Sequence, residues 1–409
     1  MRILVVCPHF EPDVAPTGVV ITEIAHRLID DGHELEVVTS LPWYTSHAIE
    51  PGWGGRIVRR ERQEWGRITR VHPFPTDKRN IPARAAAFAG FTVLATICSL
   101  FQRRRPDVVL AMSPPLTLGL AGWIAARARR VPFVFNIQDV FPDVAVEVGA
   151  ISNRRVIRLL ERLERFIYRR ADAVTVLSDD LRDNIETKLA GHAGTSVRVI
   201  PNFVDTQRIV PGPRENSYRE EFGLGDRTVV MYAGNLGFSQ PLDLMVEAAR
   251  SLRQRDDVVF VINGGGSTRP GLEASAGDLD NLHFVDLQPI ERLPEVLAAG
   301  DIHVIALRAG LGRSSVPSKL YSILAAGRPV FASVDEGTEV VRVIEEIGAG
   351  QAVPPDDSAA FTAGLEAMLD IDRAEMGARG RAFVEDWVSP TGVAAAYVDL
   401  FSELRGSAD

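Results

Sequence analysis

Cysteine is scarce in this chain of 409 residues: Cys7 and Cys98 are the only two. That excludes a disulfide framework and a cysteine metal site, and it fits a reducing compartment. Familiar catalytic signatures are missing as well. No HExxH, GxSxG or P-loop occurs, so nothing points to zincin, α/β-hydrolase or Walker-type chemistry. The loop after the first apolar run, PHFEPDVAPTGVV, lacks the GxGxxG of a dinucleotide-binding turn. Asp278/Asp280 and Asp370/Asp372 have DxD spacing, but neither pair follows a convincing strand, so both read as surface carboxylates. There is no short-period repeat and no low-complexity tract. The chain enters a strand at once with RILVVC, which leaves no room for a signal peptide.

What is present is an ordinary globular composition, 46% hydrophobic and 24% charged, in a length that suits two domains. Charge is unevenly shared. Residues 1–208 hold 28 Lys/Arg against 23 Asp/Glu, a net of +5; the remainder holds 17 against 31, a net of −14. A basic first half is suited to an anionic membrane surface or a phosphorylated substrate. Both halves alternate short β-branched runs, from Arg2–Cys7 onward and again from Thr228–Ala233, with amphipathic segments such as Val19–Asp31 and Leu116–Arg130. This predicts α/β architecture with two doubly wound parallel sheets, Rossmann-like in layout, and ligands at the carboxyl ends of the strands in a cleft between facing domains. The Pro/Asn/Gly-rich IPNFVDTQRIVPGP reads as the hinge. The expected domains are 1–205 and 206–387, with a C-terminal helix at about 388–405 returning to the first. Residues Ala85–Gln102 carry no charge and run into Arg103, Arg104 and Arg105. Eighteen such residues reach the lower limit of a membrane span, yet the flanking strands suit one sheet, so a buried or interface-seated helix is expected.

The stretch SSVPSKLYSILAAGRPV, Ser314 to Val330, organises the chemistry. It reads as a Ser/Lys loop, a short helix with Pro317 in its first turn, a Gly327 stop and a strand entry. Hydroxyls, backbone N–H groups and the Lys319 charge would converge there on phosphate oxygens. YAGNLGFSQ and INGGG follow the first two strands of the second half. Gly234, Gly237, Gly264 and Gly266 permit close backbone approach, and Asn235 and Gln240 offer neutral donors. These turns together suggest a nucleotide diphosphate lying across the second half. In the first half Gly18 opens a helix, His9 ends the first strand, and Gln138 and Asp139 end the strand from Pro132. Asp139 would orient an acceptor hydroxyl or offset charge at a sugar carbon; a helix cap or turn is its other reading. His9 by itself reads as structural or acceptor-side.

In that order, APTGVV, IQDVFPD, RRADAVTVLS, VIPNFVD, YAGNLGFSQPLD and VPSKLYSILAAGRPV resemble a retaining family 4 glycosyltransferase of the two-domain GT-B type. The similarity is to bacterial colanic-acid, capsule and O-antigen enzymes related to fucosamine transferases, and it covers nearly the whole chain. It implies a nucleotide-sugar donor in the C-terminal domain, UDP-sugar by default, and an acceptor in the N-terminal domain. It also implies retained configuration and no cofactor or essential metal. Gly18 would lie near the donor phosphates, and Lys319 would pair with the diphosphate, helped by Ser315 and Ser318. Asn235 and Gln240 occupy positions where many relatives carry a basic clamp, which shifts that duty to Lys319 and Arg313. Ser314 and Ser322 stand where many relatives carry two glutamates; Ser322 can donate one hydrogen bond but is no charged bidentate acceptor. Gln138 replaces a frequent histidine.

The resemblance thus implies sugar transfer to a polyprenyl-diphosphate-linked saccharide or other glycan, in cell-surface polysaccharide synthesis. The expected place is the cytoplasm, with peripheral contact at the inner face of the plasma membrane and no nucleic-acid partner. A small-molecule natural-product acceptor is the alternative. Two rival functions share the fold: a nucleotide-sugar 2-epimerase and a non-catalytic nucleotide-sugar-binding protein.

Overall fold

A computed structural model describes the chain apart from residues 77–80, 148, 314–316, 318, 387–388 and 407–409, and apart from the side chains of 81, 82 and 313. It divides into two compact units. One comprises Met1–Val146, Ile151–Asn202 and Pro390–Asp409; the other comprises Glu147–Ala150 and Phe203–Ser389.

The first unit is built on eight strands: β1 (Arg2–Val6), β2 (Glu34–Ser40), β3 (Val58–Gln63), β4 (Gly66–Val71), β5 (Val108–Ser113), β6 (Phe133–Ile137), β7 (Ala173–Val176) and β8 (Ser196–Val199). Their order is β3-β4-β2-β1-β5-β6-β7-β8. The central strands are apolar throughout because helices cover both faces; Ile3 pairs with Leu35 on one side and Val108 on the other. One strand departs from the expected parallel sheet. β3 runs antiparallel to β4, and its sequence, VRRERQ, carries no apolar alternation that would have marked it. Charge on an exposed edge is how sheets avoid pairing with other chains.

Right-handed crossovers place the helices. The helix Pro16–Asp30 steps from β1 back to β2 and covers one face, where the C-terminal helix Pro390–Gly406 packs against it. Ile81–Leu100, Leu118–Arg129 and Arg154–Tyr168 step the other way and cover the opposite face. The apolar helix Ile81–Leu100 follows β4 and precedes β5, and both strands lie in this one sheet, so it does not cross a bilayer in this fold. It is not a core helix either: in its most apolar window, Ala83–Leu100, mean hydropathy is 1.6 and only 28% is buried.

The second unit holds β9 (Thr228–Ala233), β10 (Val258–Asn263), β11 (Leu282–Val285), β12 (Ile302–Ala306), β13 (Val330–Ser333) and β14 (Gly350–Val353). They form a fully parallel sheet in the order β11-β10-β9-β12-β13-β14. Val230, Phe260, Ile262, Val304 and Phe331 fill its core with Phe361 and Leu365 from the helix Ser358–Leu369. Parallel pairing brings the loops after Ala233, Asn263, Ala306 and Ser333 to one edge.

Candidate active site

Two glycine turns meet at that edge of the second unit. After β9, the Gly234 N–H donates to Asn263 O (2.9 Å) and the Leu236 N–H to Gly265 O (2.9 Å). Gly264 has φ +156°, and a Cβ there would lie 1.9 Å from Gly234 O; one on Gly266 would lie 2.1 Å from Leu236 O. Backbone therefore packs directly on backbone, which only glycine permits. The Gln240 Oε1 accepts the Gly237 N–H (3.2 Å) and closes the first turn, while Asn235 is exposed and its carbonyl accepts from Tyr232 OH (2.6 Å).

Lys319 enters this platform from the side. It opens the helix Lys319–Ala325, whose Leu320 N–H donates back to Pro317 O (3.1 Å). That helix ends as expected: Gly327 has φ +66°, the Gly327 N–H donates to Leu324 O and the Arg328 N–H to Ile323 O, a Schellman closure. The charge at this end of the helix is that of Lys319. Its Nζ lies 3.4 Å from the Tyr232 ring centroid, and a Cβ on Gly234 would come within 3.0 Å of it. The residue as a whole is partly exposed, but Nζ is shielded from solvent and has no hydrogen-bond partner among the described residues. Burial lowers its pKa from the usual lysine value to about 7. The tyrosine face compensates some of that cost, and an anion would compensate far more.

The loop leading toward this lysine is anchored by two carboxylates. Asp335, just past β13, accepts the Gly310 N–H (2.8 Å). Asp356, just past β14, accepts the Ala309 N–H (2.9 Å) and an Arg308 Nη1–H (3.1 Å). Arg308 in turn donates its Nε–H to Phe238 O (3.0 Å), tying the loop to the first glycine turn. Ser314, Ser315 and Ser318 lie outside the described residues, as does the Arg313 side chain. Ser322 lies in the helix, half-buried.

In the first unit His9 follows β1 and is not alone. Its Nδ1 meets Asp13 Oδ2 at 2.7 Å, its ring stacks on Trp43 (centroids 5.7 Å, 28°), and Tyr44 packs edge-on at 5.5 Å. Asp13 is buried and also accepts the Tyr44 N–H (3.2 Å). Gly18 is pressed against the same residue; a Cβ there would fall 2.8 Å from His9 Cβ. Its lack of a side chain thus lets the helix Pro16–Asp30 abut the histidine, a role beyond the anion approach expected of it.

Gln138 also differs from expectation. It is buried, its Nε2–H donates to Asn136 Oδ1 (2.8 Å), and its Oε1 accepts from Asn202 (2.9 Å). Asn136 donates onward to Thr175 (3.0 Å) and to Tyr397 OH (2.9 Å) on the C-terminal helix. Both ends of the Gln138 amide thus hold partners inside the unit, which fixes its orientation. Asp139, half-buried, follows it directly beyond β6.

Comparison with known proteins places each unit in a family. Residues 17–202 match the glycosyl transferase 4-like domain, and residues 227–370 match glycosyl transferases group 1. A Mycobacterium tuberculosis GDP-mannose-dependent alpha-(1-6)-phosphatidylinositol monomannoside mannosyltransferase is 30% identical over 332 residues, 73% of this chain and 80% of that one. The chain is a family 4 glycosyltransferase. It is also similar to the Escherichia coli glycosyl transferase WcaI, assigned to colanic acid biosynthesis: 26% identity over 93% of this chain and 95% of that protein. In fold it matches Anabaena HepE, solved with UDP, at TM-score 0.70 and 15% identity over 99% of this chain and 100% of that one. The GT-B architecture expected from the sequence is thus shown.

For this glycosyltransferase, the residues that motif reading missed are Tyr232, Arg308, Asp335 and Asp356 in one unit and Asp13, Trp43 and Tyr44 in the other. Asp13 had a local cue, four residues after His9. Asp335 and Asp356 each stand just beyond a strand, but which loop they tie down depends on sheet order. Among the described residues no group of three His, Cys, Asp or Glu is placed to hold a metal ion. Asp280 and Asp370 face Arg253 and Arg255 instead.

Proposed function

We propose that this glycosyltransferase moves a sugar, with retention, from a nucleotide-sugar to a hydroxyl of a lipid-linked saccharide or other glycan acceptor in cell-surface polysaccharide synthesis. The observation that carries the donor half is the buried Lys319 ammonium beside Gly234, which has no hydrogen-bond partner among the described residues. A diphosphate on the glycine platform supplies the missing anion and returns the lysine to its charged form. UDP is the first donor class to test, because HepE of the same fold was solved with it. GDP is the next, from the name of the mycobacterial relative. The assignment to surface polysaccharide follows the similarity to WcaI.

In this reading the bond between the anomeric carbon and the diphosphate oxygen breaks with its electron pair going to phosphate. The charge is met by Lys319 and backbone N–H groups. The acceptor hydroxyl bonds to the same face and passes its proton to the departing phosphate oxygen. Asp139 and the His9–Asp13 pair serve the acceptor side. No metal takes part in this scheme, so turnover is expected to survive chelator.

The test is thermal stabilisation of the purified chain by UDP, GDP, dTDP and their sugar conjugates with EDTA present, followed by nucleotide release with acceptor. A ligand bound only by the native state raises the melting temperature. A shift with one series that Lys319→Ala abolishes supports the proposal. Conversion of the donor without acceptor identifies an epimerase, and binding without release under any acceptor identifies a non-catalytic binder. Either outcome overturns the transfer reading.

A further inference from the structure

We propose that Arg70 is the positioning residue of the first unit's site. It grips both the turn that bears Asp13 and the closed loop of residues 41–57, and so fixes His9 between them. The inference takes the His9–Asp13 pair as acceptor-side and rests on that reading.

Two separate segments meet at His9. The loop 41–57 leaves β2 and enters β3, and the end of β4 holds both of its ends. The Leu41 N–H donates to Val71 O (2.9 Å) and the His72 N–H to Ile57 O (2.9 Å). Early in this loop Trp43 and Tyr44 pack on the histidine ring. Their backbone N–H groups reach the Asp13 carboxylate at 3.5 and 3.2 Å. Asp13 itself closes a turn, its N–H donating to Phe10 O (3.1 Å). That carboxylate thus joins turn and loop beside His9, and Arg70 joins them a second time.

Arg70 lies on β4 and is 2% exposed. An Nη2–H donates to Glu11 O (2.6 Å), a carbonyl inside the Asp13 turn. The Nε–H donates to Glu61 Oε1 (3.1 Å), and the guanidinium carbon lies 4.9 Å from the centroid of Trp53, late in the loop. Arg59 stands directly opposite Arg70 on β3. It lies 4.3 Å from the same indole centroid, with its Nε 3.3 Å from Glu61 Oε1.

Stability alone does not account for this cluster. Like charges directly opposite on a sheet repel, and a guanidinium taken out of water carries a desolvation cost. The Arg70 Nη1 adds to that cost, being shielded from solvent with no hydrogen-bond partner among the described residues. An apolar side chain at this inward position would pack with none of these penalties. What arginine alone supplies is a flat fork that bonds in its plane to two acceptors while its face lies on an indole. The edge strand β3 gains a use as well: Arg59 and Glu61, two residues apart, present one face to this cluster.

The effect reaches the site through Asp13. A carboxylate oxygen 2.7 Å from His9 Nδ1 makes that nitrogen the donor and leaves Nε2 with its lone pair. Loosening the turn or the loop removes the constraint and frees the ring to its other tautomer.

Amide exchange and imidazole NMR of the full chain test this with Arg70→Lys, Arg70→Met and Trp53→Leu. The His9 signals are assigned from the spectrum of His9→Gln. Expected in all three is exchange at Trp43 and Tyr44 faster by at least about tenfold, with exchange across β9–β14 unchanged. The His9 ring should pass from the Nδ1-protonated form to a mixture of tautomers. With a short polyprenyl-diphosphate-linked sugar as acceptor probe, KM should rise about tenfold while the UDP dissociation constant stays within about twofold. A role in packing or charge alone gives a different pattern, because Arg70→Lys would then match the unaltered chain. That match overturns the proposal. So does unchanged exchange at Trp43 and Tyr44 in either Arg70→Met or Trp53→Leu. Trp53 is half-buried in a surface loop, so its variant reports even where Arg70→Met fails to fold. Exchange and imidazole spectra need neither donor nor acceptor, and they decide the role of Arg70 even if the transfer reading fails.

Discussion

The two sites at the strand ends are made of different material. In the second unit the surface is backbone: Gly234, Gly264 and Gly266 bring main chain against main chain, and one buried lysine supplies charge. In the first unit the surface is side chain: a His9–Asp13 pair walled by Trp43 and Tyr44, above a buried amide network. Backbone suits a ligand part that never varies, such as a diphosphate, because it cannot be altered by ordinary substitution. Side chains suit a part that differs from one enzyme to the next. The contrast makes nucleotide binding brittle to small changes and leaves the acceptor side adjustable.

The sharpest way to break this contrast is Lys319→Ala. With this buried cation of the platform gone, turnover should fall by about two to three orders of magnitude, while circular dichroism and melting show an intact fold. Near-normal turnover would mean that the charge is met elsewhere. Gly264→Ala comes next: a Cβ at 1.9 Å from Gly234 O forces the two turns apart. The expected cost is about 2 kcal/mol of stability together with lost nucleotide binding, read by denaturant melts and calorimetry.

A pH measurement sharpens the same point. The Lys319 pKa is about 7 in the folded protein against 10.5 for an ordinary lysine. Between these values the unfolded chain holds a proton that the native chain lacks, so native stability without ligand should rise as pH increases from 7 toward 10.5. Lys319→Met should remove that increment, seen as the difference between the two stability–pH curves. A nucleotide that restores the charge should take up a proton on binding near pH 8, visible in titration calorimetry across buffers of different ionisation enthalpy. On the other unit, His9→Ala is expected to raise the acceptor KM by about tenfold and leave the nucleotide dissociation constant unchanged. An equal loss of both would erase the distinction between the sites. Gln138→Leu should act on stability alone, lowering it by about 1 kcal/mol by orphaning Asn136 and Asn202.

Much of this architecture could be read from residues alone. β-branched runs alternating with amphipathic segments marked the α/β layers, and Gly327 marked a helix end that the Schellman bonds bear out. The edge strand β3 escaped because VRRERQ carries none of the apolar alternation by which strands are recognised. Gln138 misled for the opposite reason: its place at a strand's end suggested outward chemistry, and only the packing of Asn136, Asn202 and Tyr397 around it shows an inward amide. The apolar run Ala85–Gln102 was legible as unusual, but its place at the surface appears only once one side of the helix is seen packed.

The sequence by itself determined the family, the layered fold and the positions of the glycine turns. Each of these is written in local signals: hydrophobic period, turn residues and ordered motifs. Tertiary structure alone decided that Lys319 is buried over Tyr232, that Asp335 and Asp356 hold one loop, and that His9 has Asp13 and Trp43 for neighbours. Desolvation and sheet order set those facts, and both depend on residues far apart in the chain.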